Sequence, residues 1–278
     1  MAMNSVNTNL GAMVALQSLN KTNDALSATQ KRVSTGLRVS DAKDDGAAYA
    51  VAQTVRADVS GLTSANEQLG GTKGILDTTL SALNKVSTSM SDIKAVMVKL
   101  ADDTINADQR AQYETQYEAL RTQVQNYITD ATYNGRTLLS TDTASGGGDI
   151  NTTRNEQATF YTLSAVDGAT DLVVAAAPAD AATAQTALQT GGDFETVMNA
   201  INDALNVFGS DSNYIDKQIS YNNEKMDSLN SGLGALVDAD LAKESAKLQA
   251  LQIRQQLGTQ SLSIANQAPQ ALMSLFKG

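Results

Sequence analysis

Any chemistry in this chain of 278 residues would have to run on carboxylates, lysines and hydroxyls, because it holds no cysteine and no histidine. Their absence removes disulfides, thiolate and imidazole catalysis, and nearly all zinc, copper and haem ligation. Two acidic pairs have a spacing that general acid–base work would use: Glu114 with Glu118, one helical turn apart, and Asp238 with Asp240. Further carboxylates cluster at Asp41, Asp44 and Asp45, but no calcium-loop spacing follows them. Gly146-Gly147-Gly148 is not a phosphate cradle, since no Lys-Ser/Thr pair opens a helix behind it. Each acidic group stands at an expected helix start or on a polar helix face, where capping and solvation account for it. No catalytic residue, metal ligand or cofactor site is assigned, and the chain reads as a non-enzyme.

The helices that would carry these groups are themselves the stronger signal. From Val237 to Phe276 one stripe reads Val237, Leu241, Glu244, Leu248, Leu251, Gln255, Gly258, Leu262, Ala265, Pro269, Leu272 and Phe276. A second reads Ala250, Ile253, Leu257, Gln260, Ile264, Gln267, Ala271 and Leu275. At about 100° per residue the two lie on nearly opposite sides of one helix. A helix packed on one core needs one apolar face, so the second face asks for a second partner. Gln255–Phe276 carries no charge, and neither does Met1–Asn20. At the N-terminal end Ala12, Leu16, Leu19, Asn23, Leu26, Gln30, Val33 and Leu37 repeat the spacing, with Asn and Gln at two seam positions. The two ends are expected to pair antiparallel. A soluble monomer normally puts Lys and Glu outside, so both ends read as surfaces for making a polymer. The core of that assembly is predicted at Leu10, Leu16, Leu19, Leu26, Val33, Leu241, Leu248, Leu251, Ile253, Leu257, Leu262, Ile264, Leu272 and Phe276.

Between the ends, apolar periodicity predicts a long helix over about 47–100, with Val51 on its apolar face, and a second over 109–131. Gly70, Gly71 and Gly74 read as points of close approach by another backbone, and Asn134-Gly135 as a turn. Thr159–Leu163 and Asp171–Val174 are predicted strands, joined through Asp167-Gly168. Pro178–Gln189 is either a loose Ala-rich helix or a loop. A helix is predicted from Phe194 to Leu233, separated by Gly232 and Gly234 from a terminal helix that Asp238 and Asp240 start. The fold class is mainly α: a long antiparallel helical bundle or coiled coil built from both chain ends, with a small β-hairpin insert. The expected domains are 1–42 plus 236–278 (terminal), 43–139 plus 194–235 (helical rod), and 140–193 (short variable insert with the hairpin). A net charge of −10 argues against nucleic acid or an anionic membrane as partner. The uncharged ends are too rich in Gln and Asn to insert in a membrane. The N-terminus lacks the pattern of a cleaved secretory signal, so an extracellular destination would need another route.

Several of these stretches resemble bacterial flagellin. Val6-Asn7-Thr8-Asn9, the run Val33–Val39 with Asp44-Asp45-Gly46, and Asn134-Gly135 are similar to its N-terminal signature. Val237–Ser245, Gln255–Gly258, Ser263–Gln267 and Leu272–Phe276 are similar to its C-terminal one. The resemblance covers 1–139 and about 194–278; the large outer domains of longer flagellins have no counterpart in 140–193. It implies a structural subunit, exported through the flagellar type III apparatus with a chaperone, that self-assembles into the extracellular filament for swimming motility. It also implies a distal cap protein and a hook–filament junction protein as partners, with the terminal helices lining the filament core and the rod forming its shell. One departure is specific. Flagellins seen by the vertebrate innate receptor carry Arg, Glu and Leu on the first rod helix, where this chain has Asp92, Ala95 and Val96.

Three alternatives compete. The hook–filament junction protein shares terminal helices of this type but not the fuller signatures at both ends. A soluble coiled-coil adaptor would place charge on the outer faces of the terminal helices, and this sequence does not. Some flagellins carry a metalloprotease insert, which needs His-Glu-x-x-His, and there is no histidine.

Overall fold

Short polar side chains start the helices and glycine or an acidic break ends them. In the computed structural model, which describes the backbone of residues 9–275 and the side chains of residues 9–267, six α-helices and one β-hairpin follow in order. Helix α1 (Leu10–Thr35) begins at Asn9, whose Oδ1 accepts from the Ala12 N–H, and stops at Gly36, whose φ of 72° suits glycine. Helix α2 (Gly46–Leu100) is capped by Asp45 Oδ1, which accepts from Ala47 and Ala48. Helix α3 (Ala107–Thr129) opens with a reciprocal capping box between Asn106 and Gln109. Strands β1 (Ile150–Thr153) and β2 (Phe160–Leu163) pair antiparallel, Ile150 opposite Leu163. Helices α4 (Ala181–Leu188), α5 (Asp193–Val237) and α6 (Leu241–Leu275) complete the chain. Pro178–Gln189 thus contains a true helix, with Asp180 as its cap.

Two boundaries differ from the sequence expectation. Gly232 and Gly234 lie inside α5, which runs on to Val237. Each glycine costs about 1 kcal/mol in a helix, and the burial of Val237 beside Leu233 and Leu236 outweighs that. The hairpin uses Ile150–Thr153 in place of Asp171–Val174. Residues 171–174 do alternate, with Leu172 and Val174 buried, but no strand pairs with them. Their neighbourhood is bonded to α3 side chains instead: Arg121 Nε donates to Val174 O and Tyr117 Oη donates to Ala175 O. The Ala177 N–H in turn donates to Glu118.

The chain forms two compact units, residues 1–57 with 228–278, and residues 58–227; α2 and α5 contribute to both. In the first unit α1 and α6 run antiparallel, aligned by Asn9 with Ala265, Asn23 with Gln255 and Arg32 with Glu244. Where they meet the connectors, Gly36, Arg38 and Val39 bond the backbone of Val237 and Ala239, and Val39, Ala52 and Val237 close a small core.

The second unit is built on a seven-residue repeat in α2. Leu62, Leu69, Leu76, Leu83, Met90 and Met97 recur along it, interleaved with Ala65, Thr72, Thr79, Val86, Ile93 and Leu100, all buried. The two buried threonines are satisfied locally, each hydroxyl donating to the carbonyl four residues earlier. Val51, outside this unit, is exposed rather than part of the apolar face. The core continues through Tyr117, Val124, Ile128, Leu138, Leu163, Leu172, Ile201, Phe208 and Ile215. A cavity of about 70 Å³ remains under the 174–178 segment, lined in part by Met90, Met97, Tyr117 and Phe194.

The turn between the strands is clasped onto α2 and α5. Arg154 O accepts from Gln218 and from fully buried Asn222, which also donates to Asn66. Glu156 pairs with Lys225 at 2.6 Å, and Tyr161 stacks on Tyr214 at 4.1 Å while its hydroxyl donates to Asp211. A Cβ at Gly61 would lie 3.0 Å from Glu156 Cβ. The close approach expected at Gly70, Gly71 and Gly74 is therefore at Gly61: Gly70 and Gly71 are open, and Gly74 faces a side chain, the Tyr133 ring, rather than backbone.

Candidate assembly surface

The acidic pairs first considered for catalysis have structural partners. Asp240 Oδ1 accepts from the Ala242 and Lys243 N–H groups and starts α6, while the backbone of Asp238 bridges to Leu37. Glu118 takes the Ala177 N–H and Arg121, which together hold its carboxyl below the usual range. Asp44 accepts from the Ser40 N–H and hydroxyl, and these bonds bring it down to about 2.

The uncharged ends behave differently. On α6 the two stripes separate as their spacing requires. Glu244, Leu248, Leu251, Gln255, Gly258, Leu262 and Ala265 are buried or half-buried, and a Cβ at Gly258 would sit 3.2 Å from Leu19. Ala250, Ile253, Leu257, Gln260, Ile264 and Gln267 are exposed, with Ile253, Leu257 and Ile264 at 58–63%. On α1 the covered side steps through Ala12, Ala15, Leu19, Thr22, Leu26, Thr29 and Val33. Leu16 and Gln30, expected in this seam, lie on the outer side. Neighbouring apolar residues at 15 and 16 fit two phases of one repeat, and the smaller side chain faces the partner helix. Leu10, Met13, Val14 and Leu16 are 47–66% exposed and form an apolar face of their own.

The residues predicted for the assembly core therefore divide. Leu19, Leu26, Val33, Leu248, Leu251 and Leu262 serve the contact of α1 with α6. Leu10, Leu16, Leu241, Ile253, Leu257 and Ile264 face outward. The Leu272 side chain and Phe276 lie outside the described residues. Asp92 and Ala95 are exposed on α2, whereas Val96 is buried in the core. Sequence reasoning missed Arg32 and Glu244, whose ion pair at 3.4 Å crosses the seam; their signal was a charge at each end of otherwise matching stripes. It also missed Asn9, whose amide bonds α6.

Paired helices from the two chain ends, each with an apolar outer face, are matched by the comparisons. Residues 6–144 match the family described as the bacterial flagellin N-terminal helical region, and residues 192–276 match the flagellin C-terminal helical region. Flagellin FljK of Caulobacter vibrioides is 34% identical over the whole of both chains. The chain belongs to the bacterial flagellin family. A flagellin of Brucella melitensis is 35% identical over 99% of this chain and all of its own. Among solved structures, Bacillus cereus flagellin overlays 56% of this flagellin chain and 88% of its own with a TM-score of 0.50 at 23% identity. A Vibrio parahaemolyticus protein described as flagellar hook-associated overlays 70% of this chain and all of its own, with a TM-score of 0.58 at 13% identity. At such identities these two likenesses speak for the fold alone: helices from both ends and a small antiparallel hairpin.

Proposed function

We propose that this flagellin is a structural subunit that polymerises into the extracellular flagellar filament, and that the outer faces of α1 and α6 are where copies meet. The observation that carries the reading is the pair of apolar faces, Leu10–Leu16 and Ile253–Ile264, left exposed on helices already packed together. Covering six such side chains contributes on the order of 10 kcal/mol before association costs. The contact joins unlike surfaces and does not close on itself, which yields a helical polymer. Segments 1–42 and 236–278 form the filament core, 43–139 with 194–235 the rod, and 140–193 a short outer insert. An export chaperone, a distal cap protein and a junction protein complete the partner set. Full-length identity to flagellins favours the filament subunit over the junction protein.

Deleting 258–278 is expected to abolish polymerisation while residues 58–227 stay folded; sedimentation of normal filaments from the truncated chain would refute the reading. With Asp92 and Ala95 in the exposed positions and Val96 buried, purified monomer is expected to stimulate the vertebrate innate receptor weakly or not at all. A reporter-cell response at full strength would refute that expectation.

A further inference from the structure

Pro269 has no N–H and cannot donate to the Ala265 carbonyl four residues before it, as the α-helical ladder requires. Helix α6 nevertheless continues to Leu275. The missing donor comes from the other end of the chain: Asn9 Nδ2 donates to Ala265 O at 2.7 Å. Oδ1 of the same side chain accepts from the Ala12 N–H at 3.0 Å and caps α1. A single amide thus serves the start of one helix and the gap in another.

We propose that Asn9 is the positioning residue that sets the register of α1 on α6, and that the carbonyl bared by Pro269 is the mark it reads. A mark is needed because the seam is repetitive. Ala12, Ala15, Leu19 and Thr22 lie toward Ala265, Leu262, Gly258 and Gln255, and a slip by one repeat would still place small and apolar groups together. The Ala265 carbonyl breaks that equivalence. The chain's other proline, Pro178, lies outside α6, so no other interior carbonyl of that helix loses its ladder donor to a proline. Any other register leaves Ala265 O unbonded in a partly covered seam, and an unmade hydrogen bond is penalised more than a made one is rewarded. The latch fixes the stagger at which the faces Leu10–Leu16 and Ile253–Ile264 are presented; this consequence rests on the assembly reading above, and the latch itself does not.

A double-mutant cycle on the full chain tests it. Asn9→Ser keeps a good helix cap but is too short to reach Ala265; Pro269→Ala restores the ladder N–H and makes the latch redundant. The readouts are amide-exchange protection of residues 255–268 in the soluble chain and the critical concentration for polymerisation. In the native background Asn9→Ser is expected to lower protection and raise the critical concentration by about five- to tenfold. In the Pro269→Ala background its effect should fall below about twofold in both readouts. Equal effects in the two backgrounds, no effect in the native one, or a native chain unprotected over 255–268 would each overturn the proposal. A native chain that fails to polymerise while the exchange cycle shows the coupling would sink the assembly reading and leave the latch standing.

Discussion

Gly61 and Gly70 lie on the same helix and carry opposite expectations. At Gly61 a Cβ would meet Glu156 Cβ at 3.0 Å and Cα at 3.2 Å, so the strand turn sits against α2 only because the side chain is absent. Gly61→Ala should push that turn away from Asn222 and Lys225 and destabilise the chain by about 1–3 kcal/mol. Gly70 is exposed with nothing near it, and Gly70→Ala should stabilise by about 0.5–1 kcal/mol through helix propensity alone. Denaturant unfolding of both variants decides whether local space, rather than residue type, governs. The sequence could not separate them, because all glycines in a helical pattern look alike until a second element approaches one of them. Capping residues are the contrary case. Asp45, Asn106 and Asp240 were legible because a cap is a local event, its acceptor within three residues of its donors.

The legibility of the elements follows from the same distinction. Helices α1, α2, α3, α5 and α6 announce themselves by periodicity, which needs no knowledge of the partner. The hairpin did not, because two extended segments compete for β2. Residues 171–174 alternate as cleanly as Ile150–Thr153, and the choice falls to Arg121, Tyr117 and Glu118, which occupy the polar backbone of 174–177 from α3. That arrangement has a pH dependence. Glu118 is depressed first by the Ala177 N–H and then by Arg121, and Glu156 by Lys225. A carboxyl depressed in the folded state stabilises above its unfolded value, near 4.3, and the gain disappears as pH falls through the folded value. The denaturant midpoint should be flat above about pH 5 and fall between about 4.5 and 2. Glu118→Gln should lower the plateau and shallow that fall; an unchanged slope would show that the segment is held by packing instead.

Across the whole molecule, the charge distribution separates two kinds of surface. Charge is plentiful on α2, α3 and α5 and absent from residues 255–276, so solubility and self-association are assigned to different parts of one chain. That division was readable before any fold was known, since an uncharged two-faced helix needs no contact map. The phase of the α1 seam and the Asn9 bond were not readable, because both depend on which residue of α6 arrives opposite. The cavity of about 70 Å³ beneath Ala175 and Pro178 has a consequence of another sort. Void volume lost on opening makes the open form the smaller one, so hydrostatic compression favours it. Water should invade under the 174–178 segment before the Leu62–Leu100 repeat yields, and high-pressure NMR should record the first shifts at Ala175 and Ala176, with α2 amides unmoved. A flagellum working under deep water would feel its subunits soften there first.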